Sequence, residues 1–242
     1  MSLPKLEVPT YEIELPLSKQ KLKYRPYLVK EQKSLMMAME SGDASSIQSI
    51  VKDILTVCTL TPGVDIDDIP IVDIEYYFVN LRAKSVGEVV ESKYRCNNLM
   101  NDEECGTIME SKLNLNDLHP ESEVVVSPEI NLTDNVMVKM SYPKFSVIKD
   151  SIEFDNITDV TFNLIASSIE YIYDGEQYHY AKETTKEELI TWLEQLSQPQ
   201  FEKIEDFFIN LPKMKKKIKM TCKKCQFQHE IFVEGLESFF GF

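Results

Sequence analysis

Four cysteines in two distant pairs constrain this chain more than any other feature. Cys96 and Cys105 bracket the polar stretch NNLMNDEE, and Cys222-Lys-Lys-Cys225 forms a CxxC. The flanks EVVESKYR and GTIMESKLNL read as two strands, as do KKKIKMT and QFQHEIFVEG, where Ile218 and Met220 alternate with lysines. Each pair therefore sits at the turn of a predicted β-hairpin. Two Cys pairs on facing hairpins supply the four soft ligands that a tetrahedral Zn²⁺ prefers. The sequence thus predicts a zinc ribbon assembled from two distant segments, with Cys96, Cys105, Cys222 and Cys225 as ligands of a structural Zn²⁺. The eight-residue gap between Cys96 and Cys105 is longer than the usual two to four.

Other roles for these thiols fit less well. Polar, charged flanks disfavour four unpaired buried thiols. A redox CxxC should open a helix after a strand, whereas alternating strand residues follow Cys225. Four thiolates would close the site and leave no open position for a catalytic water. His229, four residues past Cys225 on a strand, reads as a surface side chain. The opening MSLPKLEVPT has no apolar h-region. A reducing compartment is expected, and with it free thiols rather than disulfides. Cys58 continues the helical stripe Ile47, Ile50, Val51, Ile54 and Leu55, so it reads as core.

The fold class expected is α+β, a helical body carrying the hairpin module. Strands YEIELPL and KLKYRPYL flank the turn SKQ. A helix follows and ends near Gly42; Asp43 or Ser45 caps the next, which runs to about Leu60. IVDIEYYFVNLRAKS reads as a third helix, with Tyr76, Tyr77, Phe78 and Leu81 as core. EVVVSPEINL and NVMVKMSYP alternate as strands, and TDVTFNLIASSIEYIYD reads as one helix with Val160, Leu164, Ile165, Ile169 and Ile172 on one side. Capping boxes at Thr185/Glu188 and Ser197/Gln200 open two more helices. The second is expected to turn Phe201, Ile204, Phe208 and Leu211 inward before Pro212 stops it.

The 242 residues read as a single compact unit. Its sub-parts are a hairpin and helices over 1–86, a β module from 87–142 and 213–234, a helical segment 143–212 and an aromatic tail 235–242. No run approaches a membrane span.

Charge bears on partners. The chain carries 26 Lys and Arg against 40 Asp and Glu, a net −14, which makes nucleic acid an unfavoured general partner. Phosphate-cradling GxGxxG and GxxxxGK[ST] loops are absent from the sequence. The exception to the acidity is a lysine run that includes Lys215, Lys216 and Lys217. It reads as protein-contacting or as electrostatic balance for the thiolates, with a nucleic-acid-binding zinc ribbon as the alternative. Phe239, Phe240 and Phe242 end the sequence, and they read as packed on the chain's own core or inserted into a partner. No catalytic residues are expected. His119 and His179 have no HExxH or nucleophile partner, and the adjacent Asp67 and Asp68 read as a loop cap.

Several stretches together resemble a known family. They are YRPYLVKEQKSLMMAMESGD, DIEYYFVNLRAKSVGEVVE, PQFEKIEDFFINLPKMKKKIKMTCKKC and GLESFF. They are similar to the baseplate hub subunits and hub-assembly proteins of T-even-type contractile-tailed bacteriophages. The resemblance covers most of the chain, including both Cys pairs. It implies a non-enzymatic structural or assembly role through contacts with other hub or tail proteins, in the host cytoplasm during assembly and in the virion tail baseplate afterwards. A transient hub-assembly chaperone absent from the finished virion is the variant of that role.

Overall fold

The structure, a computed structural model, describes residues 6–122, 126–147 and 156–235. Strands β1 (Tyr11–Glu14) and β2 (Lys21–Tyr24) pair antiparallel, with Tyr11 opposite Tyr24. Leu22 and Tyr24 are buried while Lys21 and Lys23 are exposed, the period-two alternation of a half-buried strand. Helix α1 (Val29–Ser41) stops where Gly42 takes the left-handed φ of 66°. Helix α2 (Ala44–Cys58) starts at Asp43, whose carboxylate accepts the Ser46 N–H at 2.9 Å. Cys58 is fully buried at its end, as its stripe predicts.

Helix α3 (Ile71–Ser85) positions everything else, because it is buried on two sides. Ile74, Tyr77, Phe78 and Leu81 pack with α1, α2 and the first hairpin. Val79 and Ala83, joined by Val72 and Tyr76, face a second cluster. That cluster contains Val90, Leu113, Met214 and Val233, which come from the two Cys-bearing hairpins. These spacings of three and four residues are the two faces of one helix. In the first turn of α3, the fully buried Asp73 carboxylate accepts the N–H groups of Leu17 and Ser18, both at 2.8 Å. The β1–β2 turn is thereby tied to the helix.

Strands β3 (Val89–Arg95) and β6 (Ile108–Asn114) form the first Cys hairpin over seven paired residues. Between them lie the short β4 (Leu99–Met100) and β5 (Glu103–Glu104), which pair with each other. Strands β7 (Glu129–Asn131), β8 (Met137–Met140), β9 (Ile169–Tyr173) and β10 (Tyr178–Tyr180) build an antiparallel sheet in the order β10-β9-β8-β7. So the strands expected after His119 pair with each other and, through β8, with β9, not with a Cys hairpin. The start of the EVVVSPEINL strand, residues 123–125, lies outside the described residues. Helices α4 (Ile157–Ser167), α5 (Lys186–Glu194) and α6 (Gln198–Ile209) cover one face of this sheet. Both predicted capping boxes are present. In α6 the fully enclosed side chains are Ile204 and Phe207; Phe201, Phe208 and Leu211 pack half-buried against them. Strands β11 (Lys215–Thr221) and β12 (Gln228–Glu234) form the second Cys hairpin.

One expectation is overturned. TDVTFNLIASSIEYIYD is not a single helix: α4 ends at Ser167 and the chain becomes β9 at Ile169. The three-residue spacing of Ile169 and Ile172 imitates a helical period, yet both are buried on one face of a strand. A register shift in the β8–β9 pairing at Lys139/Met140 makes this possible. Such a bulge admits an extra residue and re-aims its neighbour. The Ile and Tyr residues of β9 have high strand preference and find partners on both sides.

Candidate metal centre

The two Cys hairpins end in loops built by the same hydrogen bonds. In the second, the Cys222 N–H donates to the Phe227 carbonyl at 2.9 Å, and the Gln226 N–H donates to the Cys222 carbonyl at 2.9 Å. In the first, the Cys96 N–H donates to the Thr107 carbonyl at 2.8 Å, and the Gly106 N–H donates to the Cys96 carbonyl at 3.0 Å. In both loops the residue after the second cysteine is left-handed, with φ of 66° at Gly106 and 60° at Gln226. The eight-residue gap between Cys96 and Cys105 does not break this equivalence. It folds as the miniature hairpin β4–β5, turning through left-handed Asn101 and Asp102. The Cys105 N–H then donates to the Asn98 carbonyl at 2.8 Å, which closes the detour at its base.

Because α3 holds both hairpins, the two loops face each other. Cys96 Sγ lies 3.6 Å from Cys225 Sγ, and Cys105 Sγ lies 3.8 Å from Cys222 Sγ. All four sulfurs fall within 4.8 Å of one another; three of the cysteines are buried and Cys225 is half-buried. Sulfurs placed about 2.3 Å from a central ion in a tetrahedron are about 3.8 Å apart, so the set fits a four-coordinate soft metal. Hard cations such as Mg²⁺ and Ca²⁺ take oxygen ligands and do not suit it.

Electrostatics within the cluster are uneven. The backbone N–H groups of Cys225 and Lys224 point at Cys222 and bring its thiol down to about 6, despite burial. The Thr107 hydroxyl, 3.3 Å from Cys105 Sγ, leads the groups that lower that thiol. Burial pushes the Cys96 thiol up to about 12. A bound cation favours all four thiolates at once, and that coupling makes metal binding compete with protons.

The structure brings together all four predicted cysteines and adds a fifth group. His229 is not a surface side chain: it is half-buried, with Nε2 3.1 Å from Cys96 Sγ and its ring 4.8 Å from that of Phe227. Register explains the difference. His229 pairs with Met220 across the hairpin, and Met220 packs on the Cys cluster. The other two histidines lie elsewhere, His119 beside Tyr76 and His179 paired with Asp174 at 2.8 Å. Asp67 and Asp68 pair with Lys52 and Lys144.

Lys215, Lys216 and Lys217 lie on β11, where carboxylates of β12 face the strand. Lys215 is opposite Glu234, and Lys217 Nζ is 2.6 Å from Glu230. Lys224 turns inward, its Nζ 3.4 Å from the Cys105 carbonyl. Phe239, Phe240 and Phe242 lie outside the described residues.

A mixed helix-and-sheet protein whose two hairpins are joined by a four-cysteine cluster is the class these features define. The chain belongs to the family described as T4 bacteriophage base plate protein, which matches residues 8–241. Neither a curated protein nor a solved structure matches it significantly. No helix among the described residues is long and apolar enough to cross a membrane.

Proposed function

We propose that the chain is a non-enzymatic structural or assembly protein of the baseplate hub, held in shape by a structural zinc ion on Cys96, Cys105, Cys222 and Cys225. The observation that carries this reading is the closed four-sulfur cluster in a member of a base plate family. Thiolates occupying every position of a tetrahedron leave no site for substrate, so the ion's work is mechanical. It crosslinks two hairpins that α3 already carries, and so fixes the outer surface that other hub or tail proteins would meet. Protein partners suit this surface better than nucleic acid. Lys217 and Lys219 of β11, and Lys213 just before it, are answered by Glu230 and Glu234 of β12, which weakens any phosphate-binding stripe.

Two measurements test the proposal. Native mass spectrometry of the purified chain should find one zinc per chain, lost together with its mass shift on chelation; an iron-loaded or metal-free chain refutes the zinc. In a phage lacking this gene product, electron microscopy should find tails or baseplates arrested before completion. Intact, infectious particles would refute the assembly role. Peptides of this chain in purified virions would mark a permanent subunit. Their absence beside an assembly block would mark a transient factor acting in the host cytoplasm.

A further inference from the structure

Where α3, the segment after β8, α4, α6 and the β12 end meet, they enclose an open groove of about 290 Å³. Ile71, Tyr142, Leu164, Phe208 and Leu211 give it apolar walls. Two carboxylates stand among them, Glu75 from α3 and Glu234 from β12. Among the described residues Lys213 is the cation on its rim, 3.8 Å from Glu234, and those lining residues carry one negative charge in excess. The Met214 N–H donates to Glu75 and favours its charged form, against the larger effect of burial. Burial, reinforced by Glu234, pushes the Glu75 carboxyl up to about 7. The charge of Glu75 is therefore a cost to the fold that the Met214 N–H offsets only in part.

We propose that this groove is a binding site for a cationic side chain, arginine in particular, carried on an apolar segment of a protein partner. A guanidinium matches carboxylates in a planar fork, stacks on an aromatic face such as Tyr142, and lays its aliphatic stem along apolar walls. Charge complementarity selects this occupant, because an excess negative charge beside apolar walls favours a cation with an aliphatic stem over a neutral or acidic side chain. The inference deepens the assembly reading by giving the partner's chemistry. Its test uses purified protein and defined peptides, so it fails or succeeds apart from any phage phenotype.

Calorimetric titration at pH 8 with acetyl-Leu-Arg-Phe-amide, and with the same peptide carrying citrulline, separates charge from shape. The arginine peptide should bind about tenfold more tightly. Glu75→Gln, which keeps the side chain's shape, should abolish that preference, and Phe208→Ala should weaken both peptides alike. Far-UV circular dichroism checks that each variant is folded. Equal affinity for the two peptides, an arginine preference that survives Glu75→Gln, or no binding of either overturns the proposal. So does tighter binding of a peptide spanning residues 236–242, which would assign the groove to the chain's own tail.

Discussion

Chelating the proposed zinc of the wild-type chain is the most informative perturbation, because it changes no side chain. Cys105 and Cys222 are separated by 117 residues. Treated as a crosslink of that span, the cluster removes chain entropy from the unfolded state worth about 5 kcal/mol at 25 °C. For a protein of this size each kcal/mol moves the melting temperature by roughly 2–4 °C, so metal removal should lower it by roughly 10–20 °C. The loss should be local at first. The hairpins β3–β6 and β11–β12 share with α3 only the cluster around Val90, Leu113, Met214 and Val233. The larger cores around Tyr77 and Ile204 do not include the four clustered cysteines. Differential scanning calorimetry with and without chelator gives the shift, and amide hydrogen exchange locates it. A double variant, Cys222→Ser with Cys225→Ser, should match the chelated protein apart from a small cost for one buried and one half-buried hydroxyl. Melting curves that coincide within about 2 °C, with exchange unchanged in the hairpins, would refute the crosslink reasoning.

Other outcomes follow from single side chains. Asp73→Ala should cost roughly 2–4 kcal/mol in denaturant unfolding, since it strands the N–H groups of Leu17 and Ser18; a loss under about 0.5 kcal/mol would contradict the assigned bonds. His229→Ala should weaken metal affinity roughly 10–100-fold against a chromophoric chelator while leaving one metal per chain, and unchanged affinity would show that the contact with Cys96 is idle. Glu75 gives a pH signature. Its folded carboxyl is raised from the ordinary 4.5 to about 7, so the folded state holds the proton more tightly than the unfolded one. Its stabilising contribution is full below 4.5 and is lost as pH rises through 7. Wild type should therefore lose stability relative to Glu75→Gln across that window and be the less stable of the two above it. Parallel pH profiles of melting temperature would contradict this.

Much of this molecule is legible in its residues. Cap and turn chemistry located α1, α2, α5 and α6, because Gly42, Asp43, Thr185 and Ser197 act on backbone groups only a few residues away. The Cys pairs marked both hairpin tips for the same local reason. What failed depended on distant partners. Ile169 and Ile172 carry a helical spacing of three, and only a bulge in the pairing with β8 puts both on one face of a strand. His229 is on a strand whose outward or inward sense depends on register with β11. The Glu75 groove draws its walls from five segments, so no window of sequence contains it. The hairpin hidden between Cys96 and Cys105 did have a signal, the Asn101-Asp102 pair, residue types that accept a left-handed turn.

The span of the cysteine cluster also sets a clock on synthesis. At roughly 5–20 residues per second, on the order of ten seconds pass between Cys105 and Cys222 leaving the ribosome. Throughout that interval the first hairpin has two thiols and half a coordination shell. A chain cut short anywhere in between would never close it. Metal retention would thus separate finished polypeptides from fragments before either reached a growing tail.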